Sequence, residues 1–293
     1  MAASLPASIA YQIGPISGSE LIADRRGSQV FRVQRPDSAA LAVKVSRTNP
    51  DPGAPNPDYA RLLAAREAAV LAHGPAPAGY LHAAGATREA TWIAVAWIDA
   101  PSLHRTFASA RDADTPEGRR TALIAAAAAA GAVARLHTSG WIHRDLQSAH
   151  LLCGPTGASL VDFAFAQPPT GVRIEPVVPY RGGLVHLDAP ELARALLDTG
   201  PAADVTMDPP AEVFSLAAVI RTCWTGVWMY DYPEDATMTA RLSTIAASDR
   251  RPLSTQRPWA WPRLEALLTA GTEPEASARP TANEFADALT HAI

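Results

Sequence analysis

The pattern of the chain changes at residues 99–101, and this change constrains the fold more than any other feature of the sequence. Before it, β-branched and aromatic runs alternate with turn residues. Gln29–Val33 (QVFRV) and Leu41–Val45 (LAVKV) flank a turn-rich RPDS at Arg35–Ser38, and two more strands are expected at Tyr80–Ala83 and Thr91–Trp97. One helix interrupts them. It opens near Asp58, after the breaker-dense stretch Thr48–Pro57, and ends near Ala72. After residue 101 the sequence is mainly helical, over Ser102–Ala110, Glu117–His137, Val213–Gly226, Trp261–Gly271 and Thr281–Ala292. Two strand-like runs, His150–Cys153 and Ser159–Phe163, fall between the helices, followed by a loop to Pro190. The expected class is α+β, with a strand-rich part at residues 21–98 and a larger helical part at 99–293. Residues 1–20 lack sustained periodicity and read as an N-terminal extension or a first irregular strand.

Composition narrows the function classes. A formal charge of −4 with no basic tract argues against nucleic acid or an anionic membrane surface as partner. Cys153 and Cys223 lie far apart and in no metal or disulfide spacing, so reduced thiols and a cytoplasmic setting are expected. No basic residue precedes Arg25 and no apolar run follows the start, so no secretory signal is expected. The most apolar stretch, Leu123–Ala134, is shorter than the roughly 20 residues needed to span a bilayer and reads as a buried helix. Of the 25 basic side chains only Lys44 is a lysine. In a chain that otherwise uses arginine as its cation, a compact ammonium at one position points to a task that a planar guanidinium does not perform.

The segment His143–Leu152 reads HRDLQSAHLL, follows a helical segment ending ARLHTSGW, and precedes LVDFAFA at Leu160–Ala166. Upstream lie AVK, ending in Lys44, and REAAVL, containing Glu67. Downstream lie APE at Ala189–Glu191, EVFSLAAVI from Glu212, and Arg279 in ARP. In order and spacing these resemble the protein-kinase superfamily over Leu21–Ile293, matching its HRD, DFG, VAIK and APE motifs. The resemblance implies a bilobal protein-kinase-like fold that binds ATP and Mg²⁺, with Mn²⁺ as a second candidate. It implies that Lys44 holds nucleotide phosphates and is oriented by Glu67, that Asp162 ligates the metal, and that Asp145 takes the acceptor proton. Gly27, in ADRRGSQVF, falls in the nucleotide loop, and backbone near Ala96 and Ile98 falls where adenine binds. His143, Arg144, Glu191 and Arg279 are bracing residues in the family.

Four departures qualify the resemblance. His150 stands where protein kinases have a metal-binding asparagine, and is similar to a histidine in the catalytic loop of macrolide phosphotransferases. Ala164 replaces the DFG glycine, as in small-molecule phosphotransferases. Gln147 and Leu184 replace the lysine and threonine that act near the acceptor in serine/threonine kinases. Gly27 is the one glycine of its loop, where Arg25 and Arg26 are either phosphate covers or solvated surface. Thr170 and Tyr180 are the hydroxyl phosphosites between Asp162 and Glu191, and the aromatic residues Trp224–Trp261 read mainly as core. Two functions stay open. One is an ATP-dependent phosphotransferase acting on a hydroxyl of a small molecule or a biosynthetic peptide or protein. The other is a pseudokinase, a nucleotide-responsive module that binds a partner protein.

Overall fold

A computed structural model describes residues 4–25, 27–36, 38–49, 56–200 and 202–293. Arg26, Asp37 of the expected turn, and the part of the breaker-dense loop at 50–55 lie outside the described residues. The fold is mixed α+β and divides into two compact units. The first is Met1–Ile98 with Phe163–Phe165 and Gly171–Val178; the second is the remainder.

The first unit is built on an antiparallel sheet. Its strands are β1 (Gly18–Arg25), β2 (Ser28–Arg35), β3 (Ser38–Arg47), β4 (Leu81–Ala86) and β5 (Ala90–Ala96), in the order β1-β2-β3-β5-β4. Alternation along β3 buries Leu41, Val43 and Val45 on one face, where they join Phe31, Val33, Trp92 and Ala94 in a single cluster. Helix α1 (Ala7–Ile13) closes that cluster with Ile9 and Ile13, joined by Leu5. Residues read from the sequence as an extension or irregular strand thus contain a core-forming helix. Its apolar signal is only two residues deep, too short to register as a periodic pattern. Helix α2 (Tyr59–Ala72) packs on β3, β4 and β5.

The second unit contains α3 (Leu103–Thr106), α4 (Ala108–Asp112), α5 (Pro116–Thr138), the hairpin β6 (Leu151–Gly154) and β7 (Gly157–Leu160), and α6 (Pro190–Asp198). It continues with α7 (Pro209–Thr225), α8 (Met238–Ala246), α9 (Leu253–Gln256), α10 (Pro262–Gly271) and α11 (Ala282–Thr290). Helix α5 starts cleanly because the Thr115 side chain accepts from the Gly118 N–H and Pro116 stands at the first turn; alanine then supplies helix propensity. Helix α5 covers the expected Glu117–His137 segment, and the helix as a whole is longer than the apolar run Leu123–Ala134 inside it. Helix α5 has 23 residues, and by length and composition alone it is apolar enough to cross a membrane. Here it is a packed helix, contacting α11, β6, β7 and α7 through faces lined with alanine. Helix α7 is buried almost throughout, and Gly226 ends it in the left-handed conformation.

Candidate functional site

In the first unit, strand alternation turns Lys44 away from the α1 cluster. Register places it opposite Val30 of β2 and Ile93 of β5. On that side Lys44 Nζ donates to Glu67 Oε2 of α2 at 3.1 Å. Glu67 is buried, and its other oxygen accepts the Phe163 backbone N–H at 3.1 Å. One carboxylate therefore serves both the lysine and the residue that follows Asp162. Next to it on α2, the buried Arg66 donates through Nη1 to the carbonyls of Ile174 and Pro176, each at 3.2 Å. The ring of Phe163 meets Tyr80 edge-on, with centroids 6.4 Å apart.

The structure accounts for Gly27 in a different way from a phosphate loop. Its φ is +80°, and an added Cβ would lie 3.1 Å from the Arg47 carbonyl oxygen. Its own carbonyl accepts the Arg47 N–H at 2.8 Å, so turn geometry and close packing already require the glycine. Ala96 ends β5 with its N–H donated to the Tyr80 carbonyl at 2.8 Å, and Ile98 ends the continuous part of the unit.

In the second unit, Asp145 and His150 lie on one loop and Asp162 follows β7. The His150 Nδ1 is 2.8 Å from the Asp145 backbone carbonyl oxygen. A carbonyl only accepts, so Nδ1 is the donor, and a neutral imidazole then keeps its lone pair on Nε2. That Nε2 is 3.7 Å from Asp162 Oδ2, while Nδ1 is 3.7 Å from Asp145 Oδ2. The Gln147 side-chain amide donates to Asp145 Oδ1 at 2.8 Å. Imidazole nitrogen and carboxylate oxygen facing each other make a two-donor set for a cation. Among the described residues, no group of three or more His, Cys, Asp or Glu side chains is gathered for a metal.

The loop is held by buried charge. Glu212, at the start of α7, accepts the backbone N–H groups of His143 (3.1 Å) and Arg144 (2.6 Å), and lies 2.8 Å from His137 Nε2. Arg144 has φ +68° and Asp162 φ +64°, a conformation L-residues seldom adopt, so the backbone is strained on both sides of the loop. The Arg144 guanidinium donates to Asp204 Oδ1 and the Val205 carbonyl, each at 2.6 Å, and lies over the Tyr180 ring. The Tyr180 hydroxyl in turn donates to the Arg144 carbonyl at 2.6 Å. His143 lies 3.0 Å from the Val161 carbonyl oxygen through Nε2, and burial pushes its imidazole below the usual range.

Of the residues singled out from sequence, Lys44 and Glu67 meet in the first unit, and Asp145, His150 and Asp162 meet in the second. Sequence reasoning missed Asp204, His137 and Arg66, whose partners are far away in the chain and leave no local pattern, and Asp188, whose burial no local pattern announces. Tyr180, read as a phosphosite, is buried and engaged with Arg144, whereas Thr170 is exposed. In the aromatic set Trp224, Tyr230 and Trp261 are buried, while Trp228 is exposed and stacks on His186 with centroids 4.4 Å apart. The chain matches no protein-family model and no curated protein.

Proposed function

We propose that this chain has a protein-kinase-like, bilobal fold and moves the γ-phosphoryl group of ATP to a hydroxyl of a small molecule or a biosynthetic peptide or protein. The observation that carries the reading is the Asp145–His150–Asp162 arrangement. One histidine is fixed by a carbonyl through Nδ1 and faces the Asp162 carboxylate through Nε2 at 3.7 Å. In this reading the acceptor O–H loses its proton to Asp145 as a new P–O bond forms, and the bond from the γ-phosphorus to the β–γ bridging oxygen breaks, leaving ADP. Lys44 holds phosphate oxygens as a point charge, with Glu67 fixing its direction. Backbone near Ala96 and Ile98 is assigned to adenine.

Asp162 and His150 are the residues suited to a divalent cation, which would neutralise charge on the phosphates when bound. A carboxylate suits Mg²⁺, and an imidazole partner favours Mn²⁺ beside it. Two protein donors are enough, because Mg²⁺ in such sites takes much of its shell from phosphate and water.

The alternative, a nucleotide-responsive pseudokinase that docks a partner, is favoured by Gly27, whose conformation a turn explains without any phosphate. ATP turnover with Mg²⁺ or Mn²⁺ decides between them, measured with pooled candidate acceptors in wild type, Asp145→Asn and Lys44→Ala. Turnover lost in both variants supports the phosphotransferase. Absence of turnover in wild type, with an ATP-induced rise in melting temperature that Lys44→Ala abolishes, favours the pseudokinase.

A further inference from the structure

Asp188 is a buried carboxyl group that the proposed mechanism leaves unused. It follows a 3₁₀ turn (Val185–Leu187), is 3% exposed, and its Oδ2 has no hydrogen-bond partner among the described residues. A buried polar atom without a partner is costly, so its retention calls for a reason. The surroundings supply one. A Cβ added to Gly182 would lie 3.0 Å from Asp188 Oδ2, and one added to the next residue, Gly183, would lie 2.6 Å from Asp145 Oδ1. Two carboxyl groups therefore occupy the space that side chains would take at consecutive glycines, and the Gly183 backbone N–H lies near enough to Asp188 to favour its ionised form.

Resting on the phosphotransferase reading, we propose that Asp188 is a positioning residue for Asp145: through the Gly182–Gly183 pair it fixes where the Asp145 carboxylate stands.

The charge state of Asp188 matters to this role. Burial first, and the Asp145 charge second, push its carboxyl well above the usual range, so the group stays protonated at pH values where an exposed carboxyl is ionised. Other ionisable groups around it are the phenols of Tyr180, Tyr230 and Tyr232, each of which would be pushed up by an ionised Asp188. The turn packs against α7 and α8. Glu212 of α7 is bonded to the His143 and Arg144 amides, Arg221 of α7 to the Arg251 carbonyl, and Arg241 of α8 to the Glu234 and Ala236 carbonyls. In the adjoining chain, Arg181 is bonded to Thr199 and Glu191 to Arg279. None of these hydrogen-bonds to Asp188 among the described residues. Ionising Asp188 would set a second negative charge against Asp145, and among the described residues no arginine or lysine hydrogen-bonds to it to offset that charge.

The test measures hydrolysis of Mg·ATP, with water standing in for the acceptor, across pH in wild type, Asp188→Asn and Asp188→Ala. Asp188→Ala is expected to lower kcat about ten- to a hundredfold with KM for ATP unchanged. Wild type should show an alkaline decline in kcat that Asp188→Asn lacks. Superimposed profiles for wild type and Asp188→Asn, or full kcat in Asp188→Ala, overturn the proposal.

Thermal stability gives a readout independent of turnover. The folded carboxyl titrates above the unfolded one, so wild type loses stability as pH rises out of the usual carboxylate range, and Asp188→Asn does not. The margin between them should widen with pH and shrink in an Asp145→Asn background. A wild type without turnover both in water and with the pooled acceptors overturns the phosphotransferase reading and the positioning role together, while the stability cycle still reads the coupling of the two carboxyls. A margin that is constant with pH overturns the coupling whatever the activity.

Discussion

The backbone N–H of Arg144 donates to Glu212 Oε1 at 2.6 Å, joining residues 68 apart in sequence. Glu212 is completely buried and also holds the His143 amide, so one side chain at the start of α7 secures the strained backbone just before Asp145. Asp145 thus depends on a helix that contributes no side chain to the Asp145–His150–Asp162 group. Replacing Glu212 by Ala strands two buried N–H groups and should lower unfolding free energy by about 3–5 kcal/mol. Glu212→Gln retains one acceptor oxygen but turns an amide toward a donor, so an intermediate loss is expected. Urea denaturation measures both; a loss in the Ala variant below about 1 kcal/mol would mean that the loop holds its shape without the carboxylate.

Arg279 and Glu191 form a forked pair, with nitrogen–oxygen distances of 2.5 and 2.9 Å. The same guanidinium donates to the carbonyls of Glu273, Pro210 and Pro274 and lies over the Phe214 ring at 4.9 Å. An ammonium has neither the fork nor the flat face for this work. Arg279→Lys should therefore lose most of what Arg279→Ala loses, about 3 kcal/mol, in chemical denaturation. A lysine variant close to wild type would show that charge alone suffices.

Parts of this architecture can be read in the sequence because their signals are local. Val43 and Val45 alternate with Lys44 at the period of a strand, and Thr281 with Glu284 forms the capping box that starts α11. Lys44, Glu67, Asp145, His150 and Asp162 stand out through motif order. Strand β1 escaped because GSELIADR buries neither face fully, so no alternation marks it. Helices α6 and α8 lie in stretches read as loop or left unassigned, and tertiary packing decides them. Asp188 and Asp204 look like ordinary acidic loop residues; only the fold brings one to the Gly182–Gly183 pair and the other to Arg144.

Both cysteines are buried and free. Burial pushes the Cys153 thiol up to about 11 and Cys223 higher still. The thiolate is the reactive form, so both should resist iodoacetamide in the native protein near pH 8 and react once urea unfolds it. Above the unfolded thiol value of about 8.5 the unfolded chain releases protons that the folded chain keeps, so these two groups lower stability as pH rises further. Mass spectrometry of alkylated peptides checks the first expectation; rapid native labelling of Cys223 would mean that the α7 region opens more readily than its packing implies.

Helix α1 has only seven residues, far below the length at which an isolated helix is stable in water, so its existence depends on what it buries. Its two buried side chains, Ile9 and Ile13, are 1% and 4% exposed and sit with Phe31, Val43 and Trp92 on the sheet face opposite Lys44. Removing Ile9 leaves a void against β-strand side chains that cannot collapse without bending the sheet. Ile9→Ala should cost about 2–4 kcal/mol, as for other large-to-small core changes, whereas the fully solvated Tyr11→Ala should change stability by less than about 0.5 kcal/mol. If the segment were an appendage, the two substitutions would be equally silent. Hydrogen exchange distinguishes the cases further: in the Ile9→Ala variant, protection should fall in β2 and β3 along with α1, because the three share one apolar cluster.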